Sequence, residues 1–360
     1  MKNKVVTVPS IKQPIQTSPG FAKKKLSDYK LDILGLCGFG CRYCSSNEGN
    51  YLRIQRGRFA ERTLEQLGER LLPADNPSLM FVWPDVLARL DEQLARKRPG
   101  WGAGKTLVFS MLTDGFSPEL VRSGVTERAL LAVLERTAFR IRVLTKNAVV
   151  GSPKWIRFFN RHPGRFVVGL STGTLDDDWA RRIEIGTSLP TARLRALRKL
   201  QDAGVPTYGM LCPVFPDLLE RDALDSLISH IRPDVVEHIW AEPYNDRNNW
   251  SIVREGYEPG TYGYRWLTDV YANGNTERWS HYATKLYERL QRRANRDGWL
   301  DKLRYLLYER NIGENDAPKY RGLRGVLLQS APGDDGLSTN PYMAREQRKL
   351  AAPRVATVAR

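Results

Sequence analysis

Six short apolar runs, each followed by a stretch of helical periodicity, constrain this chain more than any other feature. They are LDILGLC (31–37), TLVFSML (106–112), IRVLTK (141–146), FVVGLST (166–172), TYGMLCPV (207–214) and HIWAEPY (238–244). Each is rich in β-branched or aromatic residues and nearly continuous in hydrophobicity, as parallel strands covered on both faces are. Between them, TERALLAVLERTAF (126–139) begins at an N-cap candidate, Thr126, and sets Leu130, Val133 and Leu134 on one stripe. TARLRALRKLQDAG (191–204) begins at Thr191 after Pro190, aligns Leu194, Leu197 and Leu200, and ends at Gly204, where a left-handed cap belongs. Residues 63–98 read as two inserted helices. Strands alternating with helices predict a parallel α/β architecture. Periodicity alone leaves a partial (β/α)6 barrel and an open doubly wound sheet equally served.

Three of the four cysteines, Cys37, Cys41 and Cys44, fall within eight residues, as Cys37-Gly-Phe-Gly-Cys41-Arg-Tyr-Cys44. That spacing is not a disulfide framework, and in a reducing compartment it points to metal. Three thiolates on one loop ligate three irons of a [4Fe–4S] cube and leave the fourth iron open to a small molecule. Structural zinc is the competing reading, but it wants four ligands, and the closest histidine in sequence is His162. Gly38 and Gly40 let the backbone wrap closely. Following a strand, the loop is expected at the strand's C-terminal end, where barrel sites form.

The formal charge of +16 is uneven. Residues 1–30 hold seven Lys and one Asp, and residues 245–360 hold 20 Lys and Arg against 14 Asp and Glu, so the excess sits in two flanks. Basic flanks suit a polyanion such as DNA or RNA, through counterion release; a solvated basic surface is the plainer reading. The first thirty residues, polar and aperiodic, are expected to be an arm that orders late or on binding. The last 116, rich in Trp, Tyr and Arg, are expected to form a helical extension. No apolar run reaches the roughly 18–20 residues of a membrane span. MKNKVVTVPS lacks the pattern of a secretory signal, which makes the cytoplasm the expected compartment.

The C-x3-C-x2-C motif after a first strand resembles the signature of the radical S-adenosylmethionine superfamily. The likeness narrows with Ser110-Met111-Leu112-Thr113-Asp114, then Phe116, Pro118 and Glu119; with Leu144-Thr145-Lys146; with Gly169-Leu170-Ser171-Thr172; and with Glu184 followed by the Arg193–Gly204 segment and Cys212-Pro213. These resemble the spore photoproduct lyase and DNA repair photolyase-like branch, over residues 31–244. The resemblance implies a partial (β/α)6 TIM-like barrel with a basic N-terminal arm (1–30) and a helical C-terminal extension (245–360). It implies a [4Fe–4S] cluster on Cys37, Cys41 and Cys44, S-adenosylmethionine as cofactor, and a reductant such as flavodoxin or ferredoxin. It implies that Lys146 holds the methionyl carboxylate and that Ser171 and Thr113 bond methionyl or ribose groups. Tyr43 then lines the sulfonium, backbone near Cys212 and Pro213 passes the adenine, and Asp114 and Glu184 belong to the same cofactor site. The substrate class so implied is DNA or RNA, as repair or base modification; a peptide or small metabolite is the alternative, and a non-catalytic iron–sulfur nucleic-acid binder a third reading. The chain departs from the branch where Met111 stands in place of the hydrogen-donating cysteine, where Ser45 replaces a tyrosine, and where Ile185 follows Glu184. Cys212 reads either as a buried inert thiol or as a hydrogen donor, a role Tyr43 could also take.

Other signals carry less. Gly102-Ala103-Gly104-Lys105-Thr106 lacks the first glycine of a phosphate loop, since Pro99 stands there, and it precedes a strand. Arg53, Arg56 and Arg58 after the cysteine loop, and Arg289, Arg292, Arg293 and Arg296 farther on, read either as solvated faces or as phosphate contacts. Trp250, Trp266, Trp279 and Trp299 read as base-stacking platforms or as packing anchors.

Overall fold

The computed structural model describes residues 3–220 and 222–351. Its strands are β1 (Lys4–Thr7), β2 (Ile15–Thr17), β3 (Tyr29–Leu31), β4 (Leu34–Cys37), β5 (Leu79–Val82), β6 (Thr106–Phe109), β7 (Arg140–Thr145), β8 (Phe166–Ser171), β9 (Thr207–Val214), β10 (Ile239–Pro243), β11 (Leu303–Leu307) and β12 (Val326–Leu328). Nine of them form one sheet in the order β12-β11-β10-β9-β8-β7-β6-β3-β2. From β3 to β12 every pairing is parallel, and only β2 is antiparallel, on β3. β1, β5 and β4 form a separate three-stranded sheet. The chain is therefore a mixed α/β protein built on a large parallel sheet.

Strand alternation divides the core. On one face Ile141, Val143, Val168, Leu170, Leu211 and Ile239 pack with the helices Val125–Arg136, Pro190–Asp202 and Ala223–Ile231; the buried stripes of the first two are those the sequence marked. On the other face Val167, Tyr208, Met210, Trp240 and Leu306 form their own cluster. Gly169 is required there: a Cβ would collide with the Tyr208 ring, whose hydroxyl donates to the Val143 carbonyl at 3.0 Å.

Six expectations are corrected. Residues 3–30, expected as an arm, are integrated into the fold. Leu26, 1% exposed, joins the Tyr208–Trp240 cluster, and the Lys24 carbonyl accepts from Trp240 Nε1 at 3.0 Å. The elements of this segment are too short for any period to register in sequence. Second, the 31–37 run is broken at the buried Asp32, so Leu31 ends a main-sheet strand while Leu34–Cys37 pairs with β5. Third, the insertion is not purely helical: the helix Asn50–Leu67 starts earlier than expected, and β5 precedes the helix Val86–Ala95. Fourth, residues 245–351 are not helical throughout, because β11 and β12 extend the parallel sheet. Thr126 does not cap its helix either. Gly124 takes that place in the left-handed region, and Thr126 Oγ1 donates to the Gly115 carbonyl at 2.6 Å. Thr191 lies inside its helix and bonds Asp177 at 2.7 Å, while Gly204 has the expected positive φ of 74°. Among the described residues no helix is long and apolar enough to cross a membrane.

Candidate active site

The cysteine loop leaves β4 and turns back on itself. Gly38 and Gly40 both have positive φ, 70° and 60°, and a Cβ on Gly40 would clash with the Pro77 ring and lie 2.7 Å from the Pro77 carbonyl oxygen. Only glycine fits that approach. Cys37 and Cys41 are buried, Cys44 is half-buried, and all are free thiols. Burial pushes the Cys37 thiol up to about 12, and the charges of Cys44 and Asp114 push the same way. Backbone hydrogen bonds from Phe39 and Asp114 act in the opposite direction. Burial also holds Cys41 well above the ordinary thiol range; Lys146 draws it down, while Glu184, Cys44 and Cys37 raise it. Ionising Cys37 or Cys41 is thus opposed by burial and by negative charge on the neighbouring sulfurs, and a cation among them would relieve both.

Beneath the loop runs a continuous polar network. Lys146, at the end of β7, donates to Ser171 Oγ at 2.9 Å and to Glu184 Oε1 at 2.8 Å. Glu184 also accepts from Tyr43 and from Arg193, a residue with no exposed side-chain surface. Arg193 donates as well to the Ser171 carbonyl, and Ser171 Oγ to the Cys212 carbonyl at 2.9 Å. Burial opposes the Glu184 charge, but Arg193 and Lys146 outweigh it and bring the carboxyl down to about 2. The Lys146 ammonium lies 5.3 Å from the Tyr43 ring centroid.

A cavity of about 300 Å³ opens above this network. The three cysteines, Tyr43, Thr113, Asp114, Lys146, Ser171, Cys212 and Pro213 all line it, brought together from five separate stretches of chain. Glu184 lies behind Lys146 rather than in the wall. The Asp114 carboxylate is fully engaged as a brace, accepting from Phe116 N at 2.9 Å, Thr145 Oγ1 at 2.8 Å and Lys146 N at 2.7 Å. Thr113 Oγ1 faces Asp32 at 3.5 Å. Tyr43 spends its hydroxyl proton on Glu184, whereas burial keeps the Cys212 thiol well above its ordinary range, neutral at the wall. Ser110 Oγ, also at the wall, has no hydrogen-bond partner among the described residues.

The thiol set fits an iron–sulfur cube. Among the described residues no three His, Cys, Asp or Glu side chains converge on a single ion. A cube spreads its ligands over three irons, so convergence on one point is not its mark. The N–H groups of Phe39 and Asp114 directed at Cys37 supply the hydrogen bonds to sulfur that such clusters use.

Several site residues carry no motif in the sequence. Lys24 lines the cavity from the N-terminal segment, and Glu242, Asn245 and Arg247 line it from the end of β10. Asn249, fully buried, donates to the Tyr43 carbonyl at 2.8 Å and ties the cysteine loop to that segment. A glutamate inside the apolar run HIWAEPY was the one visible sign. Arg58 donates to the Pro9 carbonyl at 2.8 Å, and Arg289 and Arg293 pair with Asp225, so these read as structural cations. Trp266, Trp279 and Trp299 are buried packing anchors.

No family model matches the chain. An uncharacterized protein of Mycobacterium tuberculosis is 26% identical over 199 residues, 54% of this chain and 52% of that protein. An uncharacterized protein of Acidianus two-tailed virus is 23% identical over 236 residues, 63% of this chain and 71% of that one. The chain thus spans about half the length, 52%, of the mycobacterial relatives it matches. Among solved structures, a spore photoproduct lyase mutant with bound AdoMet and dinucleoside spore photoproduct overlaps at a TM-score of 0.44 with 16% identity, covering 72% of this chain and 66% of that one. A histidine-tagged anSMEcpe with bound AdoMet overlaps at a TM-score of 0.42 with 12% identity, covering 82% and 66%. At such scores and identities the overlap decides neither fold nor activity.

Proposed function

We propose that this chain is a radical S-adenosylmethionine enzyme acting on a nucleic-acid or nucleobase substrate. One observation carries the reading: three thiols of one loop, two buried and one half-buried, line a cavity that a fixed ammonium, Lys146 beside Ser171, lines as well. Cys37, Cys41 and Cys44 would hold a [4Fe–4S] cluster. With S-adenosylmethionine bound, that group supplies a carbon-centred radical able to abstract hydrogen from a substrate. We read β3 and β6 to β10 as the incomplete (β/α)6 barrel, which delivers Ser110, Lys146, Ser171 and Cys212 to one end of the sheet.

The chain's own residues position, neutralise and shield. Lys146 offers its third proton to the methionyl carboxylate, while Glu184 and Arg193 lock its direction. Because Glu184 stays ionised to about pH 2, the Lys146 ammonium keeps its partner across the physiological range. Phe39, Met111, Leu144 and Met210 give the cavity an apolar lining that limits water near a radical. Cys212, neutral and at the wall, is the candidate hydrogen donor; Tyr43 is bound to Glu184 and serves as a positioning group.

The nucleic-acid assignment is supported by the basic excess and by Lys24 and Arg247 at the cavity. The test is anaerobic reconstitution with iron and sulfide, reduction, and chromatography for 5′-deoxyadenosine. Formation of 5′-deoxyadenosine from S-adenosylmethionine is expected, and its loss in C37A, C41A and C44A. A loaded, reduced protein that makes none overturns the proposal. Product release from a peptide pool but not from DNA or RNA would move the substrate to the alternative class.

A further inference from the structure

A second cavity, of about 630 Å³, adjoins the first at the ends of β11 and β12. Asn245 lines both, and Tyr308 stands between them. The Tyr308 ring borders the second cavity, while its hydroxyl bonds Glu242 and Arg247 of the first. Two cations lie over the face of that tyrosine. The Arg247 guanidinium lies 4.8 Å from the ring centroid and Lys24 Nζ lies 6.0 Å from it. Lys23 and Arg310 line the second cavity itself.

Arg247 has Glu242 at 3.9 Å, as many other cations of the chain have an acid. Arg289, Arg293, Arg321 and Lys154, for example, each have a carboxylate partner. Among the described residues Lys23, Lys24 and Arg310 have none; Lys23 donates only to the Gln329 carbonyl. The one acid in that wall, Glu309, offsets only part of the charge of Lys23 and Arg310. Glu309 is 1% exposed, and its carboxylate accepts Gln329 N at 3.0 Å and Ser330 N at 2.9 Å, so it caps the end of β12. Asn311, Ser330 and Thr339 add neutral polar groups to the wall. A roomy polar cavity whose lining cations, Lys23 and Arg310, outnumber its one acid, Glu309, suits an anion with several oxygens.

We propose that this second cavity is a phosphate subsite, so that the substrate carries a phosphate on one side of Tyr308 and its reacting group on the other, beside Cys212. The proposal rests on the function proposed above for the first cavity. It separates two sources of the same chemistry, a free nucleotide and a phosphodiester chain.

The test is equilibrium binding to the full chain, without turnover, using thymidine, thymidine 5′-monophosphate and a short oligothymidylate at two salt concentrations. The monophosphate is expected to bind at least about tenfold more tightly than the nucleoside, a difference of about 1.4 kcal/mol. The K23A/R310A variant is expected to lose most of that preference. Both residues are exposed, and circular dichroism reports whether the variant is folded. Tighter oligothymidylate binding with a steeper salt dependence assigns the site to a phosphodiester chain; equal binding assigns it to a free nucleotide. Equal affinity for nucleoside and monophosphate overturns the proposal, as does a preference unchanged in a folded K23A/R310A. Because binding needs no S-adenosylmethionine cleavage, failure of the cleavage assay and failure of this one are separable.

Discussion

Replacing Glu184 by glutamine tests whether the carboxylate under Lys146 is the anchor of the site. The change is nearly isosteric but removes the charge shared by Lys146, Arg193 and Tyr43. Glu184 is 3% exposed and Arg193 0%, so neither water nor another acid replaces the lost partner. Removing one member of a buried pair typically costs about 3–5 kcal/mol, because the remaining charge stays desolvated. The pKa gives a second route. A fall from 4.5 to about 2 corresponds to about 3 kcal/mol of preference for the charged form in the folded state. The sign follows from linkage: a depressed folded pKa stabilises fully above 4.5, and the stabilisation is lost as pH falls through about 2. Urea titrations of wild type and E184Q at pH 7 and across pH 2–5 measure both quantities. E184Q should be less stable at pH 7 by about 3 kcal/mol and should lack the wild-type decline attributable to this carboxyl at low pH. A loss under about 1 kcal/mol would refute the reasoning, since that is the value of a surface pair.

Other consequences are equally open to measurement. Gly40→Ala forces a Cβ against the Pro77 backbone at positive φ, so reconstituted G40A should hold less iron per chain than wild type by colorimetric assay. Asp217 lies among buried side chains with its carboxyl pushed up to about 6 by burial, partly offset by the Tyr257 hydroxyl at 2.9 Å. A raised folded pKa favours the protonated form, so this group's penalty grows from its ordinary 3.8 to about 6 and is constant above. D217N should therefore raise the melting temperature at pH 8 more than at pH 4. Cys212→Ala should leave 5′-deoxyadenosine formation intact while reducing solvent deuterium incorporated into product; unchanged incorporation would remove Cys212 as donor.

The central parallel strands, β8 and β9 most clearly, were legible because they are buried on both faces and so read as unbroken apolar runs. The cysteine loop was legible because its chemistry lies within eight residues, and Lys146, Ser171 and Glu184 because they match a motif series. What resisted reading has physical causes. Leu26 and Phe21 fill the inner sheet cluster from a segment with a single four-residue helix, too short for any amphipathic pattern. β12 has only three residues, all half-buried, and β11 follows a 21-residue basic helix that set the expectation for the whole tail. Asp32 divides one apolar run between two sheets, which no hydrophobicity pattern encodes. Lys24, Arg247 and Tyr308 meet only in three dimensions, from segments more than 60 residues apart in sequence.

The most direct measurement is electron paramagnetic resonance of the reconstituted, reduced protein, before and after addition of S-adenosylmethionine. The account calls for a signal from a reduced [4Fe–4S] cluster whose shape changes when S-adenosylmethionine takes the open iron, and for no such signal when Cys37, Cys41 and Cys44 are all alanine. Tetrahedral zinc in place of iron, or an iron signal indifferent to S-adenosylmethionine, would contradict it.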